Sequence, residues 1–347
     1  AVDRTWETIE TYNAGIDFAT LNNRLSGTFD YFIKDNKNMF YAEEFPTILG
    51  TSAPSINGAH VRTNGWELTL NWKDKIGKVG YRIGLNLSDN KTKVISLSDS
   101  RNPGHGLMGF VEGYPTNSFF IYEFDGFIKD EADLADYKTK MKGGVPTNLR
   151  VGDAKYVDKD GDGVLEPTLY KEGDPNSGDI VYKGTNNQRY LYGINLGLDW
   201  KGIDVSAFLQ GVGKWDCING TYAGGGEVWK QSSQYFYHNT WSPDRPNAEY
   251  PRLTQDGGIH GYNYQWSDAP YKFFNNRYLR LKEVQIGYTF PTTLTKKIGV
   301  EKLRVYATGM NLLEWDNLPN GFDPEAPYTE NLIPFSRTYS IGVNVQF

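Results

Sequence analysis

The sequence predicts an all-β fold, the wall of a transmembrane antiparallel β-barrel, and three observations carry that expectation. Apolar and polar residues alternate with period two over runs of about nine to twelve residues, where a globular strand has about five or six. Tyr and Trp bracket the apolar faces of several runs, as the aromatic girdles of a lipid-facing barrel do. Connections swing between tight turns and very long excursions, whereas a compact soluble domain seldom carries several loops beyond about 15 residues.

Composition agrees and narrows the field. Of 347 residues 15% are aromatic, and 38 are Gly, a mix that favours strands and turns and excludes a disordered chain. No stretch reaches the roughly 18 consecutive apolar residues of a membrane helix, a test to which barrel strands are invisible. The net charge of -6 comes with no basic stripe for phosphate neutralisation, so nucleic acid is not an expected partner. A single cysteine, Cys217, forbids an internal disulfide, and His60, His105, His238 and His260 lack metal-ligand spacing. GxSxG, HExxH and phosphate-loop patterns do not occur, and the glycines of AGGGE at 223–227 do not fit a nucleotide fingerprint. Neither an enzyme nor an organic cofactor is expected.

Taken in order, crossings are expected at about 6–20, 24–40, 58–73, 79–96, 188–200, 204–215, 274–290, 303–314 and 336–347. In the first, Tyr12, Ala14, Ile16 and Phe18 oppose Asn13, Gly15, Asp17 and Ala19. In the second, Leu25, Phe29, Tyr31 and Ile33 oppose Ser26, Thr28, Asp30 and Lys34, with Phe32 an exception on the polar face. The third sets Trp66, Leu68, Leu70 and Trp72 against Glu67, Thr69 and Asn71. The fourth sets Val79, Tyr81, Ile83, Leu85 and Leu87 against Arg82, Asn86 and Ser88. In the fifth, Tyr190, Tyr192, Ile194, Leu196, Leu198 and Trp200 face away from Asn195 and Asp199.

Tight turns are expected at Leu21 to Arg24, Asp74 to Lys78 and Lys201 to Asp204, with a longer one at Pro291 to Lys302. Long connections fall at about 41–57, 97–187, 216–273 and 315–335 and read as extracellular. Short turns after crossings one, three, five and seven make the first and last crossings run inward, leaving Phe347 in the periplasm. A complete bacterial barrel has an even strand count and both termini in the periplasm. Residues 1–347 are therefore expected to be the C-terminal part of a larger barrel.

Seven stretches match a known family in order and spacing: VRTNGWELTLNW (61–72), EGYPTNSFFIYEFDGF (112–127), YVDKDGDGVLE (156–166), YLYGINLGLDWKGIDVSAFLQGVG (190–213), YLRLKEVQIGYTFP (278–291), LRVYATGMNLLEW (303–315) and the terminal SRTYSIGVNVQF. In them the chain resembles the C-terminal portion of the SusC/RagA family of TonB-linked outer-membrane transporters of Bacteroidetes-type bacteria. The resemblance implies a barrel of 22 strands, of which these crossings would be strands 14 to 22, with a plug domain that this chain lacks. It implies coupling to the TonB complex through the N-terminal region, a SusD-like lipoprotein over the mouth, outer-membrane lipid around the wall, and import of oligosaccharide or oligopeptide. The competing expectation is a secreted soluble all-β carbohydrate-binding protein, whose strands alternate too.

Three groups of residues are candidates for function. In DKDGDG, Asp158, Asp160, Asp162 and Gly163 fall at positions 1, 3, 5 and 6 of an EF-hand-type loop, where carboxylates spaced by two converge on a hard cation. The carbonyl of Val164 would be the position-7 ligand and Glu166 would stand at position 9, but Leu169 at position 12 breaks the pattern. The resemblance implies that Asp179 of GDIVYKG takes the last role, with Asp174 the alternative, so a structural Ca2+ is expected, against a solvated acidic turn with no ion. Between 215 and 271 the aromatics Trp215, Trp229, Tyr235, Tyr237 and Trp241, with Phe236, Tyr250, Tyr262, Tyr264 and Trp266, are suited to stacking on sugars or gripping a partner. Equally, they are the material for the loop's own core. At the end of the chain Tyr339, Gly342, Val345 and Phe347 resemble the assembly signal of outer-membrane barrels, which an ordinary lipid-facing last strand would share apart from the terminal aromatic.

Overall fold

The computed structural model describes residues 4–42, 50, 55–98, 103–218, 238–318, 323–326 and 336–347. Four long strands come first: β1 (Thr8–Thr20), β2 (Leu25–Ala42), β3 (Ser55–Ile76) and β4 (Val79–Leu97). Short elements follow: β5 (Gly106–Met108), β6 (Ser118–Tyr122), β7 (Phe124–Phe127), helix α1 (Glu131–Lys140), β8 (Ala154–Tyr156) and β9 (Ile180–Thr185). Then come β10 (Arg189–Trp200), β11 (Ile203–Lys214), β12 (Asp216–Ile218), helix α2 (Gly257–Asn263) and β13 (Phe273–Asn275). The chain closes with β14 (Tyr278–Thr289), helix α3 (Thr292–Thr295), β15 (Lys302–Asp316) and β16 (Thr338–Gln346).

The long strands form one 9-stranded antiparallel sheet in the order β1-β2-β3-β4-β10-β11-β14-β15-β16. Each expected crossing is present, and each pairs with the crossing next to it in sequence. Local chemistry sets the tight ends. Leu21, Asn22 and Asn23 hold φ of 54, 57 and 59, and Lys201 and Gly202 hold 47 and 87, the left-handed pair that matches the twist of a two-residue hairpin. A side chain at Gly202 would also collide with the Thr289 carbonyl, 2.6 Å away.

The sheet's apolar face is continuous across the strands. Trp72 stands opposite Ile83, Ile83 opposite Leu196, Leu85 opposite Ile194, and Leu68 opposite Leu87. Ile83 keeps 45% and Leu196 41% of its surface exposed, and at the far edge Ile341 keeps 82%. These side chains lie beside one another in a single sheet, not across a packed double layer, which runs against the competing expectation of a soluble all-β protein. The buried hydrophobic clusters instead occupy the long connections and the strand tips that meet them. Among the described residues no helix is long and apolar enough to cross a membrane, a fact that says nothing about strands.

Phe32, the apolar exception, has a steric explanation. It pairs with Gly65, and its ring lies over that glycine so closely that a Cβ there would be 2.3 Å from it. Tyr192 over Gly211 and Tyr306 over Gly342 repeat the arrangement. A ring folded across a facing glycine covers backbone that would otherwise be bare and fixes the register. Strands β2, β3 and β4 exceed the expected span, at 18, 22 and 19 residues, and are bulged at Asn36/Met39 and His60/Val61. A bilayer needs only about 9 to 11, so their ends stand clear of the apolar band.

Candidate functional site

The connection at 97–187 is a packed layer in its own right. β6 pairs with β5 and β9, β7 pairs with β8, and Phe120, Ile128, Leu149, Ala154, Tyr156 and Ile180 form its core with Ile259 from α2. Helix α1 starts where Asp130 accepts the N–H of Asp133, one of the donors a helix N-terminus leaves unmet. Tyrosines stitch this layer to the connection at 216–273. The Tyr137 and Tyr262 hydroxyls lie 2.8 Å apart, Tyr156 donates to the Tyr262 carbonyl (2.9 Å), and Tyr271 donates to the Asn263 carbonyl (2.7 Å).

The acidic loop sits on this layer's edge. Asp158 accepts the N–H groups of Gly161 and Gly163, both at 2.8 Å, and Asp162 accepts that of Val164 at 2.7 Å. Gly161 and Gly163 make the turn with φ of 81 and 87, where other residues are strained. One carboxylate oxygen from each of Asp158, Asp160 and Asp162 lies within 4.8 Å of the others. Burial, and then the charges of Asp162 and Asp158, hold the Asp160 carboxyl above its ordinary value.

Asp179 and Glu166 lie outside that cluster. Asp179 is fully buried and accepts the N–H groups of Lys159 (2.5 Å) and Glu166 (2.7 Å), tying together the two ends of the loop. Burial pushes its carboxyl up to about 6; the two N–H groups oppose the shift and the charges of Asp160 and Asp158 add to it. Its place in the geometry is that of a staple beneath the loop. Asp174, the alternative, accepts the N–H of Asn176 in a separate turn, and Leu169 at position 12 is a core residue. Oxygen-only donors at this spacing fit a hard divalent cation, and an ionised carboxylate that accepts an N–H keeps further lone pairs for it.

Trp229, Tyr235, Phe236 and Tyr237 lie outside the described residues. Trp215 is corrected from a contact residue to a core one: it is 7% exposed among Val212, Cys217 and Tyr278, and its indole N–H donates to Asn186 (2.7 Å). Trp241 is half-buried, with its ring against Gly152. Tyr250 and Tyr262 are buried as well, so for these residues the loop-core reading holds, because a connection this long is ordered only by burying its own rings. At the C-terminus Tyr339 and Val345 are exposed on the edge strand β16 and Phe347 just beyond its end, while Gly342 makes room for Tyr306.

Sequence reasoning missed two charged anchors. Asp153, fully buried, accepts the N–H of Arg150 (2.7 Å), the Asn263 amide (2.9 Å) and the Arg252 guanidinium (3.0 Å). Arg280 on β14, also buried, reaches Asp323 (2.7 Å) and Glu325 (3.1 Å), which fastens residues 323–326 to the strand. Both pair residues far apart in sequence, and only the two ends of each are visible there as isolated charges.

No protein-family model matches the chain. TonB-dependent receptor P3 of Formosa agariphila is 27% identical, over 99% of this chain and 34% of its own length. TonB-dependent receptor SusC of Bacteroides thetaiotaomicron is 24% identical, over 99% of this chain and 32% of its own. The RagAB peptide importer in its open-open state superposes with a TM-score of 0.74 at 23% identity, over 99% of this chain and 35% of that one, a likeness of fold. The chain thus spans about a third of the length of the relatives it matches. An uncovered apolar sheet face, the strand order and these likenesses define an outer-membrane β-barrel of the TonB-dependent transporter class. Within that class the chain is similar in sequence to SusC and in fold to the RagAB importer.

Proposed function

We propose that this chain is the C-terminal wall of an importer that carries glycans or oligopeptides across the outer membrane, powered through the TonB complex and working with a SusD-like lipoprotein. The observation that supports it most is the end-to-end likeness, over 99% of the chain, to TonB-dependent receptors. The long connections face outside and the tight turns the periplasm, with the plug and the TonB contact outside residues 1–347. The inner face suits a wet lumen, because its charges are mixed and partly matched: Arg82 lies 3.5 Å from Asp199, and Arg304 pairs with Asp204 and Gln285. RagAB is a peptide importer, which supports the oligopeptide class; the glycan class rests on the family resemblance of the sequence. No catalytic role is proposed for any residue.

Cells carrying the protein should take up a labelled oligopeptide or oligosaccharide, and that uptake should vanish with an uncoupler or on deletion of the gene. Uptake indifferent to the uncoupler, or a protein recovered without detergent, would contradict the proposal.

We also propose that Asp158, Asp160 and Asp162, with the Val164 carbonyl, hold a structural Ca2+ that fixes the acidic loop. An affinity of about 10⁻⁴ to 10⁻³ M is expected, as for extracellular calcium modules. Calorimetry on the purified protein should show a binding heat that Asp160→Ala removes. A heat that survives the substitution rules the site out.

A further inference from the structure

The apolar side of β3 and β4 changes character towards the long-connection end. On β4 the run Val79, Tyr81, Ile83, Leu85 and Leu87 gives way after Asp89 to Lys91 and Lys93; on β3 Trp72, Leu70, Leu68 and Trp66 give way to Asn64 and Arg62. The register is unbroken from Ile76↔Val79 to Val61↔Val94, so strict alternation keeps all of these side chains on one face. Arg62 stands directly opposite Lys93, and Asn64 opposite Lys91.

The acids nearby are already committed. Asp35 holds Arg62 through two bonds of 2.9 and 3.0 Å and also meets His60 at 2.8 Å. Glu10 pairs with Lys37, and Asp89 with Arg189. Lys91 and Lys93 are exposed, and among the described residues neither lies within ion-pair distance of a carboxylate. Like charges directly opposite on neighbouring strands repel. Here Asp35 offsets the charge of Arg62, so Lys91 and Lys93 are the cations left without a carboxylate, at a defined height. From Val79 to Leu87 the apolar run rises roughly 20 Å along a strand tilted near 40°, close to the apolar band of a barrel, and Lys91 and Lys93 stand roughly 10 to 15 Å higher. Long lysine stems can lie along the apolar wall while their ammonium groups reach the headgroup layer.

We propose that Arg62, Lys91 and Lys93 form a binding site for the phosphate of an anionic lipid in the leaflet at the long-connection end, whose acyl chains lie against Leu68 and Leu87. Phosphate oxygens match this donor set: two ammonium groups on one side and, on the other, the Arg62 guanidinium N–H groups that its bonds from Nε and Nη2 to Asp35 leave over. The inference rests on reading this face as lipid-solvated.

The test uses the protein extracted in mild detergent and placed in phosphatidylcholine nanodiscs doped with diphosphoryl lipid A, with bound lipid A counted by native mass spectrometry. The double variant Lys91→Gln/Lys93→Gln should hold lipid A about thirtyfold less tightly, from about fivefold per lysine at a lipid surface. Lys91→Arg/Lys93→Arg should retain it, and inorganic phosphate should not displace it. Unchanged retention in the glutamine variant, or full displacement by inorganic phosphate, overturns the site and leaves the barrel reading intact. A protein that does not enter nanodiscs at all removes both.

Discussion

Asp153→Ala is expected to destabilise the layer of long connections by about 3 to 5 kcal/mol, the cost of breaking a buried ion pair from one side. The carboxylate has no solvent contact and serves three donors at once: the Arg150 N–H, the Asn263 amide and the Arg252 guanidinium. Truncation leaves the Arg252 charge, only 17% exposed, without its partner and strands two further donors in a poorly hydrated site. The backbone bond from Arg252 to the Gly152 carbonyl (3.0 Å) depends on the same alignment. Because Asp153 and Arg252 belong to different connections, their separation should uncouple the two. Hydrogen exchange should show lost protection at Ile128 and Ala154, whose N–H groups bond to the Asp153 carbonyl and to Asn263, while β3, β4 and β10 stay protected. Equal protection in variant and parent would show that the aromatic core holds the layer without this anchor.

Leu196→Arg should cost about 2 to 4 kcal/mol of stability in lipid, the penalty measured for a cation on the lipid face of a barrel at the membrane midplane. Leu196 lies mid-strand on β10, between Ile83 on β4 and Ala207 on β11, so its side chain cannot reach either interface. Asn195→Arg, one residue earlier, places the same charge on the lumen side and should change stability by less than about 0.5 kcal/mol, as surface substitutions do. Unfolding by urea in lipid vesicles reads both. The contrast between adjacent positions isolates the solvent of each face, because strand propensity and depth are nearly the same for the two.

Most of the wall was legible because strand alternation is a local signal. The nine crossings, the tight turns at Leu21 to Arg24 and Lys201 to Asp204, and the lipid face all follow from residues two apart or from turn chemistry. Phe32 broke the local pattern for a non-local reason: its partner Gly65 is on another strand, and nothing in either segment announces the ring lying over the glycine. Trp215 failed in the same way, since aromatic content alone does not say whether a ring faces Cys217 and Tyr278 or the solvent. In the acidic loop, convergence of Asp158, Asp160 and Asp162 was readable from their spacing, but the N–H groups that occupy Asp179 depend on how the loop closes on itself. The row of cations on β3 and β4 needed the register, because Arg62 and Lys93 become neighbours only when the strands pair.

The central claim is that hydrocarbon, not protein, covers the apolar face of this sheet. Nitroxide labels placed singly at Glu67, Leu68, Arg82, Ile83, Asn195 and Leu196 in lipid-reconstituted protein test it through collision with oxygen, which concentrates in the bilayer, and with a water-soluble nickel chelate. Oxygen access should be high and nickel access low at Leu68, Ile83 and Leu196, with the order reversed at Glu67, Arg82 and Asn195. Low access to both reagents at Leu68, Ile83 and Leu196 would mean that a protein layer covers them, and the account would be wrong.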